Sequence, residues 1–360
     1  MRFMELALTL GRRGLGRTWP NPAVGAVVVK HGLIVGRGWT APGGRPHAEA
    51  EALARAGEAA RGATLYVTLE PCSHHGGTPP CAGAIISAGI ARVVSAMVDP
   101  NPNVAGAGHW RLAEQGIVVE VGIGADEARR AHAGHIRRMR DGRPHVMLKL
   151  AVSADEKIAL SGRRPAAITG ARSRNRVHLM RSMHDAVLTG IGTVLADDPV
   201  LTCRLPGMRS PVRIVLDASL RLPPKSRLVA SVGQAPLWVV AHESVANDRE
   251  QALKAIGAEV LRVEGSNGRL DLGAVLKLLA ERGITRVMGE AGPILATAMI
   301  RADLVDEAAL FRSPLVIGSD GIDALDGEPI SALTQSAQLR RIATESVGSD
   351  TLELFERPLS

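Results

Sequence analysis

The stretch that decides the fold of the first half of the chain is residues 43–81, with the sequence GGRPHAEAEALARAGEAARGATLYVTLEPCSHHGGTPPC. Residues 48–60 are rich in Ala and Glu and predict a helix, Ala63 to Leu69 is a β-type run, and a second helix is expected from Cys81 to Ala88. This alternation of helix and strand is typical of a three-layer α/β unit.

The same stretch carries the residue types that bind zinc. His47 opens the first helix, Cys72 follows the strand, and Cys81 opens the second helix behind two prolines. Zinc takes imidazole nitrogen and thiolate sulfur, and three protein ligands leave the fourth tetrahedral position to water. Bound zinc lowers the pKa of that water toward ~7. We therefore predict a catalytic zinc site with His47, Cys72 and Cys81 as ligands.

Glu49 is the candidate for moving protons at this site. It lies two residues after His47, too close in sequence to be a comfortable fourth ligand but near enough to reach the water. Base deaminases combine a His-x-Glu unit with a Pro-Cys unit and use the Glu as general acid and base. The alternatives are a structural zinc with His74, His75 or Cys203 as fourth ligand, and unrelated structural roles for the single residues.

Sequence on both sides of residues 43–81 extends the α/β pattern. A hairpin is expected from Val24 to Lys30 and from Leu33 to Trp39, and strands are expected from Arg92 to Val98 and from Ile117 to Val121. Helices are predicted over 3–14, 108–115 and 125–140. The run Asp141-Gly142-Arg143-Pro144 breaks the pattern, so we predict two domains, residues 1–143 and 144–360.

The second half predicts another α/β domain with its own sheet. Its strands and helices alternate, and its last part is rich in strands. The predicted strands are His145 to Val152, Ala186 to Leu188, Val212 to Leu216, Leu237 to Val240, Val260 to Val263 and Arg286 to Met288, with helices over 171–183, 245–256 and 271–282 and strand-rich segments over 306–317 and 337–356.

Composition and charge narrow the class of protein. The 360 residues are 46% hydrophobic and 22% charged, which suits a globular chain, whereas aromatic residues make up 2% and argue against binding by many stacking platforms. The formal net charge of +7 indicates an anionic partner such as a phosphorylated small molecule, a phosphate-bearing cofactor or nucleic acid. Because no dense Lys/Arg run exists, nucleic acid is not expected.

Three features predict a cytoplasmic protein. Three cysteines cannot form a disulfide framework, and Glu5 falls where a signal peptide needs apolar residues. No run of about 18 apolar residues is present, so no membrane span is expected. The sequence does not determine the oligomeric state, and a homo-oligomer stays open.

Motifs along nearly the whole chain resemble the bifunctional riboflavin-biosynthesis deaminase–reductase family. The spacing of nine positions between Cys72 and Cys81, longer than the common Cys-x-x-Cys, is specific to this family among zinc deaminases. The matching motifs are TWPNPAVG at 18–25, HAE at 47–49, VTLEPCSHH at 67–75, TPPC at 78–81, DPNPNVAG at 99–106, LKLA at 148–151 and LADDPVLT at 195–202.

The resemblance implies a fold and two consecutive reactions. A cytidine-deaminase-like three-layer domain would remove the exocyclic 2-amino group of 2,5-diamino-6-(5-phosphoribosylamino)pyrimidin-4(3H)-one. A following dihydrofolate-reductase-like domain would use NADPH to reduce 5-amino-6-(5-phosphoribosylamino)uracil to the ribityl form. The implied partner is a small phosphorylated pyrimidine, and the implied cofactors are Zn²⁺ and NADPH.

The resemblance also implies site residues. Asn21 and His74 are similar to base-binding positions of the family, and Asp99 and Asn101 to neighbours of the ribose or phosphate. In the second half, Arg181 and Arg204 are candidate phosphate clamps because a guanidinium matches phosphate bidentately. The implied cofactor contacts are Ala151, Ala167, Thr193, Asp197, Gly292, Pro293, Ile294, Leu295, Ala296, Thr297 and Ala298, and the implied reductase-substrate contacts are Pro165, Arg181, Leu201, Arg204 and Glu290.

Three positions depart from the family pattern. Gly77 stands where a basic residue is usual, which removes one substrate contact. Glu156 stands where the family has Gly, so a left-handed backbone there would be strained. Ala167 stands where an aromatic is common, which removes a stacking surface.

Other functions remain alternatives. They are a nucleic-acid base deaminase with an accessory domain, a deaminase with an inactive reductase domain, and a non-catalytic zinc-stabilised binding protein.

Overall fold

The chain forms two compact units, Met1–Gly142 and Arg143–Ser360, in a computed structural model that describes residues 1–73, 80–102, 104–164 and 166–358. Both units are α/β, as the alternating sequence pattern predicts. No helix in these described ranges is long and apolar enough to span a membrane.

The first unit is built on a mixed sheet with strand order β2-β1-β3-β4-β5 and helices packed against it. Strand β1 pairs antiparallel with β2 and β3, whereas β3, β4 and β5 run parallel. The elements are α1 (Arg2–Gly11), β1 (Gly25–Lys30), β2 (Leu33–Trp39), α2 (Ala48–Ala56), β3 (Thr64–Val67), α3 (Cys81–Ser87), β4 (Arg92–Ser95), α4 (Ala107–Glu114), β5 (Val118–Val121), α5 (Ala125–Ala131) and α6 (Ala133–Asp141).

Glycines on β2 bring helix α2 close to the sheet. A Cβ added to Gly38 would lie 2.3 Å from the carbonyl oxygen of Ala48, so only glycine allows this approach. The helix buries Ala48, Ala52 and Ala56 against the sheet. This small-residue packing fixes the position of the N-terminus of α2, where His47 and Glu49 lie.

The predicted helix over 125–140 is wrong in one respect, because the structure divides it into α5 and α6. The break falls at His132, whose buried ring places Nε2 3.1 Å from the Thr68 hydroxyl. The turn lets the chain direct this polar side chain into the unit, which an unbroken amphipathic pattern does not reveal.

The second unit contains a sheet with strand order β11-β10-β9-β8-β14-β6-β15-β18-β17. All neighbouring pairs are parallel except those that β18 forms with β15 and β17. The elements are β6 (His145–Val152), β7 (Lys157–Ala159), α7 (Ala171–Ser182), β8 (Ala186–Gly190), α8 (Ile191–Asp197), β9 (Val212–Leu216), α9 (Arg227–Ala230), β10 (Leu237–His242), α10 (Asn247–Ala255), β11 (Glu259–Val263), β12 (Gly265–Ser266), β13 (Arg269–Leu270), α11 (Leu272–Glu281), β14 (Arg286–Gly289), α12 (Pro293–Arg301), β15 (Glu307–Arg312), β16 (Ile322–Asp323), α13 (Ser331–Thr334), β17 (Arg340–Val347) and β18 (Asp350–Glu356).

The order of these strands creates a crevice between β8 and β14. From β8 the chain continues outward to β9, whereas from β14 it continues to β15 on the far side of β6. The connections therefore leave two adjacent parallel strands in opposite directions. In open α/β sheets, ligands bind outside the carboxyl ends of the strands at such a switch point.

Candidate functional site

Three metal-binding side chains meet in the first unit. His47 Nδ1 lies 3.7 Å from Cys72 Sγ and 3.3 Å from Cys81 Sγ. Tetrahedral zinc with ordinary bond lengths would separate an imidazole nitrogen from a thiolate sulfur by about 3.6 Å. Both the spacing and the soft donor set therefore fit zinc.

Two helix N-termini hold these ligands. His47 is the N-cap of α2, Cys81 is the first residue of α3, and the Cys81 backbone N–H donates to Cys72 Sγ at 3.3 Å. Hydrogen bonding to the Cys81 thiol, and to a smaller extent to His47, lowers the pKa of Cys72 to about 4. The same contact between the Cys72 and Cys81 sulfurs raises the pKa of Cys81. Because the thiolate is the form that binds a metal, both cysteines would lose their protons when the metal binds.

Glu49 lies beside this cluster in the first turn of α2. Its side chain is 3% exposed, and its Oε2 finds no hydrogen-bond partner within the described ranges. Burial raises the pKa of this carboxyl above its ordinary value. A buried carboxylate with an unused oxygen is costly unless a ligand or water completes it, so Glu49 is suited to receive a proton.

No fourth ligand joins the cluster among the residues that the structure describes. Of the alternatives considered for a structural zinc, Cys203 belongs to the second unit, and His74 and His75 lie outside the described residues. The predicted base-binding role of His74 falls there too, as does Gly77.

Asn21 is held next to the segment that leads into α2. Its Nδ2 donates to the Gly44 carbonyl at 3.1 Å. Gly44 has a φ of 87°, and an added Cβ would lie 2.2 Å from that nitrogen, so glycine is required for the contact. Asn21 is therefore fixed against Gly44, which lies three residues before the ligand His47.

Asp99 and Asn101 lie together after β4. Asp99 Oδ1 accepts the Asn101 backbone N–H at 2.8 Å and lies 3.3 Å from His135 Nε2 on α6. Burial raises the pKa of Asp99, but His135 and the backbone donor outweigh it, so that the net shift is downward. Asp99 is thus a fixed anion at the edge of this loop.

Glu70 is a residue for which the sequence analysis predicted no role. Its carboxylate accepts backbone N–H groups of Asp99, Gly106, Gly108 and His109. The available signal was a charged residue at the end of an apolar strand, two positions before a metal ligand.

The second unit brings two predicted cofactor positions together in the crevice between β8 and β14. A Cβ added to Gly292 would lie 3.0 Å from Thr193 Oγ1, so the N-termini of α8 and α12 are adjacent. Thr189 Oγ1 donates to the Glu290 carbonyl at 2.8 Å and ties the two strand ends. Backbone N–H groups at helix N-termini favour phosphate.

The predicted cofactor stretch from Gly292 to Ala298 separates into two faces. Ile294 is exposed, whereas Ala296 and Thr297 are buried, and the Thr297 hydroxyl accepts the Asp326 N–H at 2.8 Å. Direct contact with a cofactor is therefore expected from the first turn of α12. Of the other predicted cofactor positions, Ala151 is half-buried next to the end of β6, Ala167 is exposed in the connection before α7, and Asp197 is exposed at the end of α8.

Arg181 and Glu290, both predicted as substrate contacts, bind each other. The guanidinium donates from Nε at 2.5 Å and from Nη2 at 2.9 Å, and its Nη1 donates to the Thr202 carbonyl. Burial alone would raise the pKa of Glu290, but Arg181 and Lys149 hold it at about 2. Arg204 is exposed, so it is the more accessible of the two predicted phosphate clamps.

Lys149 completes this charged cluster and was missed. Burial lowers its pKa, while the nearby Glu290 carboxylate counteracts part of that shift. The missed signal was a lysine in the middle of β6, between Leu148 and Leu150.

Two further positions of the second unit have a left-handed backbone. Leu201, a predicted substrate contact, has a φ of 56° while its side chain is buried. Glu156 has a φ of 63°, so this chain has a left-handed backbone at the position where the family has Gly. The Glu156 carboxylate lies 3.3 Å from Arg312. Pro165 is outside the described residues.

Comparison with known families defines the class of both units. Residues 1–97 match the family model "Cytidine and deoxycytidylate deaminase zinc-binding region". Residues 144–352 match the model "RibD C-terminal domain". The chain thus joins a zinc-binding deaminase region to a RibD-type reductase region.

Curated relatives match along nearly the full length. The riboflavin biosynthesis protein RibD of Escherichia coli is 41% identical, with 97% of this chain and 96% of the relative covered. RibD of Bacillus amyloliquefaciens is 40% identical, with 97% and 94% covered.

Solved structures agree. RibD of Acinetobacter baumannii gives a TM-score of 0.88 at 34% identity, covering 99% of this chain and 98% of that one. A diaminohydroxyphosphoribosylaminopyrimidine deaminase/5-amino-6-(5-phosphoribosylamino)uracil reductase of Thermotoga maritima gives 0.85 at 36% identity, with the same coverage.

The chain belongs to the RibD family of bifunctional riboflavin-biosynthesis enzymes, with a deaminase region followed by a reductase region. The predictions of family, fold class and bifunctional enzyme are confirmed. The alternative of a nucleic-acid base deaminase is set aside, because the relatives match both units and not the first alone.

Proposed function

We propose that residues 1–143 hydrolyse the exocyclic 2-amino group of 2,5-diamino-6-(5-phosphoribosylamino)pyrimidin-4(3H)-one, and that residues 144–360 reduce the resulting uracil ribotide to its ribityl form. The observation that supports the first step most strongly is the meeting of one imidazole and two sulfurs beside a buried carboxylate with an unused oxygen. The second step is supported by the crevice where Thr193 meets Gly292.

In the deaminase unit, His47, Cys72 and Cys81 would hold Zn²⁺, which supplies a Lewis acid that makes a water molecule acidic. Glu49 takes a proton from the attacking water and delivers it to a ring nitrogen. It then takes the remaining proton from the added hydroxyl group and donates it to the amine, which leaves as ammonia. Asn21 orients the pyrimidine, and Asp99 and Asn101 receive the ribosyl group, whose hydroxyls can donate to the Asp99 carboxylate. Water and amine are thereby converted into a ring carbonyl and ammonia.

In the reductase unit, the residues bind and orient the reactants. Thr193, Gly292, Pro293 and Ile294 hold the cofactor at the switch point, and NADPH supplies the hydride. Arg204 binds the substrate phosphate from an exposed position. Arg181 is already paired with Glu290, so the pair acts as one fixed polar wall of the site.

The partner of this basic chain is a small phosphorylated pyrimidine, and the net charge of +7 suits the phosphates of substrate and cofactor. A cytoplasmic location and a homo-oligomer both stay predictions.

Coupled turnover of the purified chain tests the proposal. The diaminopyrimidine ribotide is supplied with NADPH, and ammonia release and NADPH oxidation are followed separately. We expect one ammonia per turnover, with NADPH oxidation that follows deamination. Release of ammonia without oxidation would leave the second unit as an inactive reductase domain.

Glu49→Gln separates proton transfer from metal binding. Ammonia release should fall by about 10²–10⁴-fold, the usual contribution of a general acid and base, while zinc content stays near wild type. Cys72→Ala should lose zinc as well. Undiminished deamination by Glu49→Gln would overturn the role of Glu49.

A further inference from the structure

The Glu70 carboxylate is the centre of a backbone-binding network in the first unit. Its Oε2 accepts the N–H groups of Asp99 at 3.0 Å and Gly106 at 2.9 Å, and its Oε1 accepts those of Gly108 at 2.8 Å and His109 at 3.3 Å. All four donors come from the connection that runs from β4 into α4. Glu70 is only 5% exposed. Each of its carboxylate oxygens accepts two hydrogen bonds from this one segment.

The same residue is close in sequence to a metal ligand. Glu70 follows β3 and precedes the ligand Cys72 by two positions. A Cβ added to Gly108 would lie 1.9 Å from the Pro71 carbonyl oxygen, so the start of α4 lies directly against the Glu70-Pro71-Cys72 segment. The carboxylate thus links the position of the segment from Asp99 to His109 to that of a zinc ligand.

His135 supports the segment from the opposite side. From α6, its Nε2 lies 3.3 Å from Asp99 Oδ1, and its side chain is 10% exposed. The same carboxylate oxygen accepts the Asn101 N–H at 2.8 Å. Backbone donors of the segment face Glu70, while its leading acidic side chain faces His135.

We propose that Glu70 and His135 are positioning residues that hold Asp99 and Asn101 in the conformation that receives the ribosyl end of the deaminase substrate. This inference rests on the proposed function, because it assumes that Asp99 and Asn101 meet that end of the substrate. Neither residue touches substrate itself. Their effect is to spare the substrate the free-energy cost of ordering the segment on binding.

Glu70→Gln tests the positioning role of Glu70. Glutamine keeps the size of the side chain but presents an NH₂ group to two of the backbone donors, so the segment should shift. We expect KM for the ribotide to rise about tenfold, as for the loss of hydrogen bonds to a charged group, while kcat and zinc content stay near wild type. Glu58→Gln, at an exposed carboxylate of the same unit, is the matched control.

Variants of His135 test its positioning role and whether a nitrogen at the place of Nε2 is sufficient for it. His135→Ala should raise KM, His135→Gln should restore it because a glutamine amide nitrogen can replace Nε2, and His135→Asn should not. Reduction of the deaminated ribotide by the same chain serves as an internal measure of a folded second unit.

The outcomes separate the inference from the proposed function. Absence of ammonia release by the zinc-loaded wild type would overturn both. Wild-type turnover combined with unchanged KM in Glu70→Gln and His135→Ala would overturn the inference alone. A fall in kcat that parallels zinc loss in Glu70→Gln would also overturn it, because Glu70 would then act only on Cys72.

Discussion

The zinc centre of the first unit and the cofactor crevice of the second are assembled in different ways. The metal ligands all fall between residues 47 and 81 and are placed by two helix starts and one strand end. The crevice depends on pairs far apart in sequence: Thr189 and Glu290 are separated by 101 positions, and Arg181 and Glu290 by 109. A site of the first kind can be recognised in a short motif, whereas the second exists only once the sheet is ordered.

The difference also concerns chemistry. Zinc selects a few residue types at fixed distances, so His and Cys at the right places carry much information. A dinucleotide is held largely by backbone groups and small residues. Alanine and glycine are common everywhere, and their presence at the crevice says little by itself.

The largest effect on the second unit is expected from Glu290→Gln, which removes the negative charge that binds Arg181. The change leaves Arg181 and Lys149 partly buried without their counter-charge, so stability should fall by about 3 kcal/mol near neutral pH. Because the pKa of Glu290 is lowered to about 2 in the folded chain, its stabilisation is present above its ordinary pKa near 4.5 and is lost as the pH falls toward 2. Urea unfolding of the wild type and of Glu290→Gln over a range of pH measures this difference in the free energy of unfolding.

The matched control is Glu281→Gln, at an exposed carboxylate of α11. It should change stability little at any pH. A wild-type advantage over Glu290→Gln that stays constant down to acidic pH would show that the ion pair does not stabilise this unit.

A smaller effect is expected when the crevice is narrowed by Gly292→Ala. The new Cβ would lie 3.0 Å from Thr193 Oγ1, and overpacking of this kind costs about 1–3 kcal/mol. NADPH should therefore bind about tenfold more weakly, while ammonia release stays unchanged. Fluorescence titration with NADPH gives the dissociation constant.

Gly192→Ala is the control for this prediction, since none of the described heavy atoms lies within 4 Å of a Cβ added there. If both variants bind NADPH like the wild type, the cofactor does not use the junction of α8 and α12.

The smallest effect is expected from Glu156→Gly. Glycine removes the cost of a left-handed backbone at φ 63°, which is about 1 kcal/mol or slightly more, but it also loses the contact with Arg312. We expect a net stabilisation of below about 1 kcal/mol, because a half-exposed ion pair contributes little. Thermal unfolding measures it.

Glu156→Ala keeps the backbone strain and loses only the ion pair, so it should be slightly less stable than the wild type. Equal stability of the glycine and alanine variants would mean that this backbone position is not strained.

Sequence reasoning located most helices and strands, because apolar periodicity and Gly or Pro breaks are local properties. It also brought His47, Cys72, Cys81 and Glu49 to one place. The helix over 125–140 was wrong at His132, where a long-range contact with Thr68 bends the chain. No local pattern encodes such a partner.

Other limits have the same origin. Glu290 can bind Arg181 only because β14 lies next to β8 in the sheet. The function of Glu70 depends on backbone N–H groups that every sequence possesses. Partners of this kind become visible only when distant segments have been placed in space.

The position of β14 within its sheet has a consequence for synthesis on the ribosome. This strand enters late in the chain and inserts between two strands made long before it. A nascent polypeptide that has been made as far as Gly142 contains every strand and helix of the first unit. Any product terminated ahead of Arg286 lacks β14, so it would keep all the residues of the first unit but not the strand that joins β8 to β6 in the second.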